Sequence, residues 1–167
     1  MHKMTEDNLK AAFAGESQAH MKYLAFAEQA EKKGLPEIGR LFRAASYAEQ
    51  VHAHGHLRIL EGVGDVVENL DAAIGGENFE VAEMYPAYIA VAEAQGEQTA
   101  RRSFDWAFQA EKTHASLYAR AKEAAQNGQD VKLGPVYVCS VCGWTGEGEP
   151  PDKCPLCGAK KEKFRVF

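Results

Sequence analysis

The chain has 167 residues, enough for one sizeable domain and a small appendage. Hydrophobic residues make up 46% and charged residues 26%, and the net charge of -5 comes without a basic stripe, which argues against a nucleic-acid binder. No apolar run approaches the roughly 20 residues that cross a bilayer, and Met1-His2-Lys3-Met4-Thr5-Glu6-Asp7 does not read as a secretory signal, so no membrane role is expected and the cytoplasm is the expected compartment.

Residues 5 to 128 are rich in Ala, Glu, Lys, Leu and Gln, with proline only at 36 and 86, and read as helix throughout. The first helix is expected to open at Thr5 or Asp7 and to carry the stripe Leu9, Phe13, Glu16, His20, Tyr23, Ala27 and Ala30 until Gly34 stops it. The second begins beside Pro36 and runs to about Glu61, where Gly62 and Gly64 break it. Its stripe is Ile38, Phe42, Ala45, Glu49, His52, His56 and Ile59. The third is expected from Asn69, through Leu70, Ile74, Glu77, Val81, Met84, Tyr88 and Val91, with Gly75-Gly76 and Pro86 as irregularities. The fourth follows Gly96 with Ala100, Phe104, Ala107, Glu111, His114, Tyr118, Ala121 and Ala125, and ends at Asn127-Gly128.

Residues three apart share a helix face, so Glu49-x-x-His52 puts a carboxylate and an imidazole in the stripe expected to face the core. An ionised carboxylate buried without a partner costs several kcal/mol, so a compensating cation is the first thing to look for. Glu111-x-x-His114 repeats the motif. Each is preceded by a lone glutamate on the earlier helix, Glu16 and Glu77, so the halves form an internal repeat. They differ at one place: three residues after Glu16 stands Ala19, whereas three after Glu77 stands a further carboxylate, Glu80. Either motif alone reads most simply as a solvated helix face. Glutamates on the core stripe of all four helices match the di-iron bundle pattern, one Glu from each of two helices and Glu-x-x-His from the other two. Oxygen-rich ligands with two imidazoles suit a pair of iron or manganese ions.

From Gly134-Pro135 the character changes. The β-prone run Val136-Tyr137-Val138 leads into Cys139-Ser140-Val141-Cys142-Gly143 and later Cys154-Pro155-Leu156-Cys157-Gly158. All four cysteines lie in these two knuckles, which suits a tetrahedral iron or zinc site in a reducing compartment rather than a disulfide framework. Tyr137, Trp144 and Phe164 are expected to form its small core. The plain alternative is a structural zinc ribbon.

The runs Gly15-Glu16-Ser17-Gln18, Glu49-x-x-His52, Gly76-Glu77-x-x-Glu80, Glu83-Met84-Tyr85-Pro86 and Ala110-Glu111-x-x-His114, with the cysteine pairs, resemble the rubrerythrin family over nearly the whole chain. The resemblance implies an all-α fold: a ferritin-like four-helix bundle over 1–134, followed by a small rubredoxin-like four-cysteine metal domain with short β-strands over 135–167. It implies two iron ions in the bundle, bridged by Glu49 and Glu111, with Glu16, Glu77, Glu80, His52 and His114 as terminal ligands. Glu80 and His52 would exchange on one iron with redox state, so both are candidate catalytic residues. Tyr23 is a third, as a hydrogen-bond partner of a ligand carboxylate, and Tyr85 is a further candidate for that role. His20 and His56 lie one turn from ligands, where they would relay protons or serve only as hydrogen-bonded core residues. The four-cysteine site of Cys139, Cys142, Cys154 and Cys157 is expected to hold iron, with zinc as the alternative.

The activity implied is reduction of hydrogen peroxide to water, with electrons arriving through the rubredoxin-like iron from an NAD(P)H-linked reductase or rubredoxin. The rival is a ferritin-like ferroxidase that handles iron and carries only a structural zinc ribbon. A length argument adds an expectation about assembly. With helix two ending about 12 residues past Glu49 and helix three starting about seven before Glu77, the ends stand roughly 28 Å apart, and eight or nine residues reach at most about 30 Å. Closure in one chain would be taut, so a domain-swapped homodimer is expected, as the resemblance to short-connection rubrerythrins also implies.

Overall fold

The computed structural model describes residues 1–167, which divide by their contacts into two units, Met1–Gly64 and Asp65–Phe167. The first unit is a helical hairpin of α1 (Lys3–Lys32) and α2 (Pro36–Ile59). Gly34, at φ 73°, turns the chain, and the Leu35 and Gly34 amides close on Ala30 and Glu31 carbonyls at 3.0 and 2.9 Å. Pro36 then opens α2, where its missing N–H is not needed. Helix α1 starts earlier than its expected caps: His2 precedes it without a side-chain cap, and Lys3–Asp7 and Lys10–Glu6 ion pairs line its first turns.

Small residues make the seam between α1 and α2. Ala27, Ala30, Gly39, Ser46 and Ala53 are buried, and a Cβ on Gly39 would stand 2.8 Å from Glu31 Cγ. The helices therefore approach closely, and the larger side chains are displaced outward. Leu41 is 69% and Tyr47 67% exposed. The stripe expected to face the core is only partly covered: Phe42, Ala45, Glu49 and His56 are half-buried, while Ile38, His52 and Ile59 are exposed.

Helix α2 ends at Ile59, two residues short of the expected Glu61, and the residue that turns the chain away is Glu61 itself rather than Gly62. Glu61 takes the left-handed position, φ 55°, with its amide on Arg58 and the Gly62 amide on Leu57. The second unit then opens with α3 (Val66–Phe79), three residues before the expected start, because Asp65 and Glu68 form a reciprocal capping box. Gly75 and Gly76 continue the helix without a break. The irregularity is a π-helical turn, Glu80–Met84, before α4 (Tyr85–Ala94). Pro86 donates no amide hydrogen bond and its ring crowds the carbonyl four residues back, so one wider turn accommodates it. Helix α5 (Gln98–Gln126) packs on both α3 and α4, and Gly128, at φ 68°, turns the chain away after it. Tyr88, expected in the core, packs edge-on to Tyr85 and beside Phe104 but stays exposed.

Three short strands follow, β1 (Val136–Cys139), β2 (Thr145–Glu147) and β3 (Phe164–Val166), in an antiparallel sheet of order β2-β1-β3. Tyr137 is buried between Trp144 and Phe164, with ring centroids 5.9 and 5.3 Å away. Gly146 has to be glycine, since a Cβ there would lie 2.5 Å from the Tyr137 hydroxyl. The element order is that of a ferritin-like four-helix bundle followed by a rubredoxin-like domain. No helix is long and apolar enough to cross a membrane.

Candidate metal centres

In the sheet module, Gly143 and Gly158, both left-handed at φ 79° and 75°, turn each knuckle back on itself. The Gly143 amide bonds the Cys139 carbonyl at 2.8 Å and the Gly158 amide the Cys154 carbonyl at 2.9 Å. The fold thereby points four thiols at one spot. Cys139 and Cys157 sulfurs lie 3.7 Å apart and Cys142 and Cys154 sulfurs 3.6 Å apart. A tetrahedron of metal–sulfur bonds near 2.3 Å has edges of about 3.8 Å, so the cage fits an iron or zinc ion and no pair is a disulfide. Burial pushes the Cys142 thiol up, against an opposing backbone hydrogen bond from Trp144; a metal would displace that proton. Trp106 of α5 packs against the cluster with Trp144, Leu156 and Phe164.

The hairpin unit gathers Glu16, Glu49 and His52, one ligand atom from each within 4.8 Å of the others. His52 Nδ1 lies 2.9 Å from Glu49 Oε2, as helix spacing of three requires. The second unit gathers Glu77, Glu111 and His114 in the same way. There His114 Nδ1 stands 2.6 Å from Glu111 Oε2 and 3.7 Å from Glu77 Oε1. Both triples are two carboxylates and an imidazole, a donor set that fits a divalent iron or manganese ion.

The remaining expected site residues lie around these triples. Glu80 opens the π-helical turn and lines the same 330 Å³ recess as Glu77 and Glu111, but it is not within ligand distance of the triple. Tyr85 lies near the same carboxylates: burial, then the charges of Glu80, Glu111 and Glu77, hold its phenol above the ordinary value. Within its unit the Tyr23 ring packs 6.1 Å from Phe42 and 6.2 Å from Phe26. His20 commits Nδ1 to the Ser46 carbonyl and hydroxyl, both at 2.9 Å, and so ties α1 to α2. Sequence pattern did not single out Thr145, whose hydroxyl meets His114 Nε2 at 2.8 Å. The two are 31 residues apart, and no local periodicity encodes that contact.

Crowded carboxylates make the second triple electrostatically unfavourable without a cation. Burial, the hydrogen bond shared with Glu111 and the charges of Glu111 and Glu80 raise Glu77 to about 7. Glu80 is raised as well, by burial and Glu111, with His114 opposing. A carboxyl with a folded pKa above its unfolded value binds more protons when folded, so its contribution is present below the unfolded value and lost as pH rises to the folded one. Metal-free protein is therefore expected to lose stability between about pH 4.5 and 7, by roughly 1 to 3 kcal/mol. Urea titrations across that range check it: Glu77→Gln should flatten most of the slope, and metal loading should remove it.

The chain matches the rubrerythrin family over residues 7–122 and the rubredoxin-like domain of rubrerythrin over residues 137–165. It is 42% identical to rubrerythrin-2 of Clostridium acetobutylicum, across 98% of this chain and 97% of that protein. To nigerythrin of Nitratidesulfovibrio vulgaris it is 34% identical, across 98% of this chain and 86% of the relative. Among solved structures it superposes on nigerythrin in a mixed-valence state with TM-score 0.55 and 34% identity, covering 98% of this chain and 86% of that one.

Proposed function

The chain belongs to the rubrerythrin family, and we propose that it is a peroxidase reducing hydrogen peroxide to water at a di-iron site, fed with electrons through the four-cysteine centre. The observation that carries this reading is the co-occurrence, in one chain, of two Glu/Glu/His triples and a closed four-thiol cage. Storage of iron needs no dedicated electron inlet, so the cage favours a peroxidase over the ferroxidase rival. The overall reaction balances as NAD(P)H + H⁺ + H₂O₂ → NAD(P)⁺ + 2 H₂O. An NAD(P)H-linked reductase or rubredoxin is the proposed donor, and the cytoplasm the proposed compartment.

Iron held by the two Glu/Glu/His triples would supply the Lewis acidity that polarises the O–O bond and the two electrons its reduction takes. The chain's own residues hold geometry and protons. We assign Glu49 and Glu111 as bridging ligands, Glu16, Glu77, His52, His114 and Glu80 as terminal ones, and Glu80 with His52 to the exchangeable position. π-Helical turns are frequent at functional sites, and Glu80 is the first residue of this one, which supports that role for it. Tyr23 and Tyr85 are assigned to hydrogen bonding with ligand carboxylates; the raised phenol of Tyr85 fits a group held beside them. We take residues 1–134 as the bundle and 135–167 as the rubredoxin-like domain. Iron is the proposed occupant of the cage, and an absorption spectrum with metal analysis distinguishes it, since ferric thiolate is red and zinc colourless.

We further propose that each di-iron site is completed by a second copy in a domain-swapped dimer. A ferritin-like centre sets Glu49 and Glu77 level on parallel helices. Helix α2 runs ten residues past Glu49 and α3 starts eleven before Glu77, about 31 Å of helix in total. The six residues of the connection, 60–65, reach about 25 Å at most. Exposed Leu41, Tyr47 and Val51 on α2 and Tyr88 and Val91 on α4 supply apolar surface for such a partner. Mixing Glu49→Ala with Glu111→Ala chains tests the swap, because a swapped heterodimer holds one intact site and one doubly damaged site. Inactive parents should regain about a quarter of wild-type turnover after statistical exchange. Confirmed exchange with no recovery would contradict the swap.

A further inference from the structure

The sheet module is fastened to α5 at points along one face of that helix. Trp106 packs against the cysteine cluster, His114 meets Thr145, and Arg120 pairs with Glu147, which also receives the Gly134 amide at 2.8 Å. Of these, the His114 contact joins the two metal centres. Thr145 opens β2 directly after the Cys139–Cys142 knuckle and is 4% exposed.

Its hydrogen bonds have a fixed direction. The Gly143 carbonyl can only accept, so the Thr145 hydroxyl at 3.0 Å donates to it. The same oxygen then has only lone pairs for His114 Nε2 at 2.8 Å, so Nε2 must carry a proton and donate. With Nε2–H committed, Nδ1 is the nitrogen whose lone pair is left for a metal. It is also the nitrogen that faces Glu111 and Glu77, at 2.6 and 3.7 Å, where the proton shared with Glu111 in the metal-free chain is the one a metal displaces. The hydroxyl acceptor is thus supplied to a bundle imidazole by the rubredoxin-like module, in the position that a carboxylate or carbonyl usually occupies behind a metal-ligating histidine.

We propose that Thr145 is the positioning residue for His114: its hydroxyl, anchored on Gly143, holds the imidazole in the Nε2–H tautomer, so that the docked rubredoxin-like module completes the bundle's metal site. This rests on the assignment of His114 as a bundle ligand. Valine at 145 keeps the shape and removes the acceptor, whereas serine keeps the acceptor. The docked module makes the imidazole ready for metal without contacting the metal itself.

The test uses the full chain with zinc in the cysteine cage and the bundle free of metal. Nitrogen-15 NMR of the His114 ring reads the Nε2 proton and its hydrogen bond, and electron paramagnetic resonance reads binding of Mn(II), which oxygen and imidazole donors take and thiolates do not favour. Wild type and Thr145→Ser should show Nε2 protonated and hydrogen-bonded. Thr145→Val should lose that hydrogen bond and bind Mn(II) about 10- to 100-fold more weakly. A Thr145→Val protein with the wild-type Nε2 hydrogen bond and affinity overturns the proposal. His114→Ala separates the premise from the inference: if it leaves Mn(II) affinity unchanged, the ligand assignment fails, and if it weakens binding while Thr145→Val does not, the role of Thr145 alone fails. Neither reading depends on peroxide turnover.

Discussion

Glu49→Ala is expected to leave the helices folded and the bundle short of metal. The side chain lies beside His52 and faces Glu16 of α1, half-buried, and it is not one of the fully buried small residues Ala27, Gly39, Ser46 and Ala53 that join α1 to α2, so its loss opens no sealed cavity. The metal site has no such reserve. In the proposed arrangement Glu49 is shared by both ions, and removing it weakens both while the remaining carboxylates stay crowded without shared compensation. Metal analysis should show one or both bundle ions lost, with peroxide turnover at background and helical circular dichroism unchanged. Full metal content in this variant would contradict the bridging assignment.

Cys139→Ser should separate the two centres. Cys139 is 1% exposed, and its carbonyl, unaffected by the change, still receives the Gly143 amide that shapes the knuckle. A hydroxyl in place of the thiolate is a poor ligand for a metal that prefers soft donors. The red absorption should vanish and NAD(P)H-driven turnover fall by at least about 100-fold, the scale on which a thousandth of the electron supply costs some 4 kcal/mol and a hundredth some 2.7. Chemically pre-reduced protein should still consume one equivalent of peroxide at the bundle. If NAD(P)H-driven turnover survived, electrons would have to enter by another route.

What the sequence disclosed, it disclosed through local rules. Helix stops at Gly34, Gly96 and Gly128 follow from the left-handed conformations those glycines adopt, φ 73°, 73° and 68°. The Glu-x-x-His pairs come together because residues three apart on a helix must, and the knuckles because Cys-x-x-Cys-Gly closes on itself. The start of α3 was also written locally, in Asp65 and Glu68, but Gly62 and Gly64 drew the boundary away from it. Glu61 in the left-handed position gave no warning, since glycine is the usual occupant. The partial exposure of the Glu49 stripe was not legible, because periodicity shows which residues share a face but not that a seam of small residues will draw the neighbouring face inward. Contacts such as His114 with Thr145 depend on how the sheet docks on α5, and a single chain's pattern carries no trace of that.

The central claim, peroxide reduction at a di-iron site, is tested most directly by stopped-flow oxidation of the fully reduced protein. Anaerobically reduced protein is mixed in one experiment with stoichiometric hydrogen peroxide and in the other with oxygenated buffer, while bundle absorption is followed. The account predicts that peroxide reoxidises the bundle much faster than oxygen does. Reaction with oxygen much faster than with peroxide would contradict it and favour the ferroxidase reading.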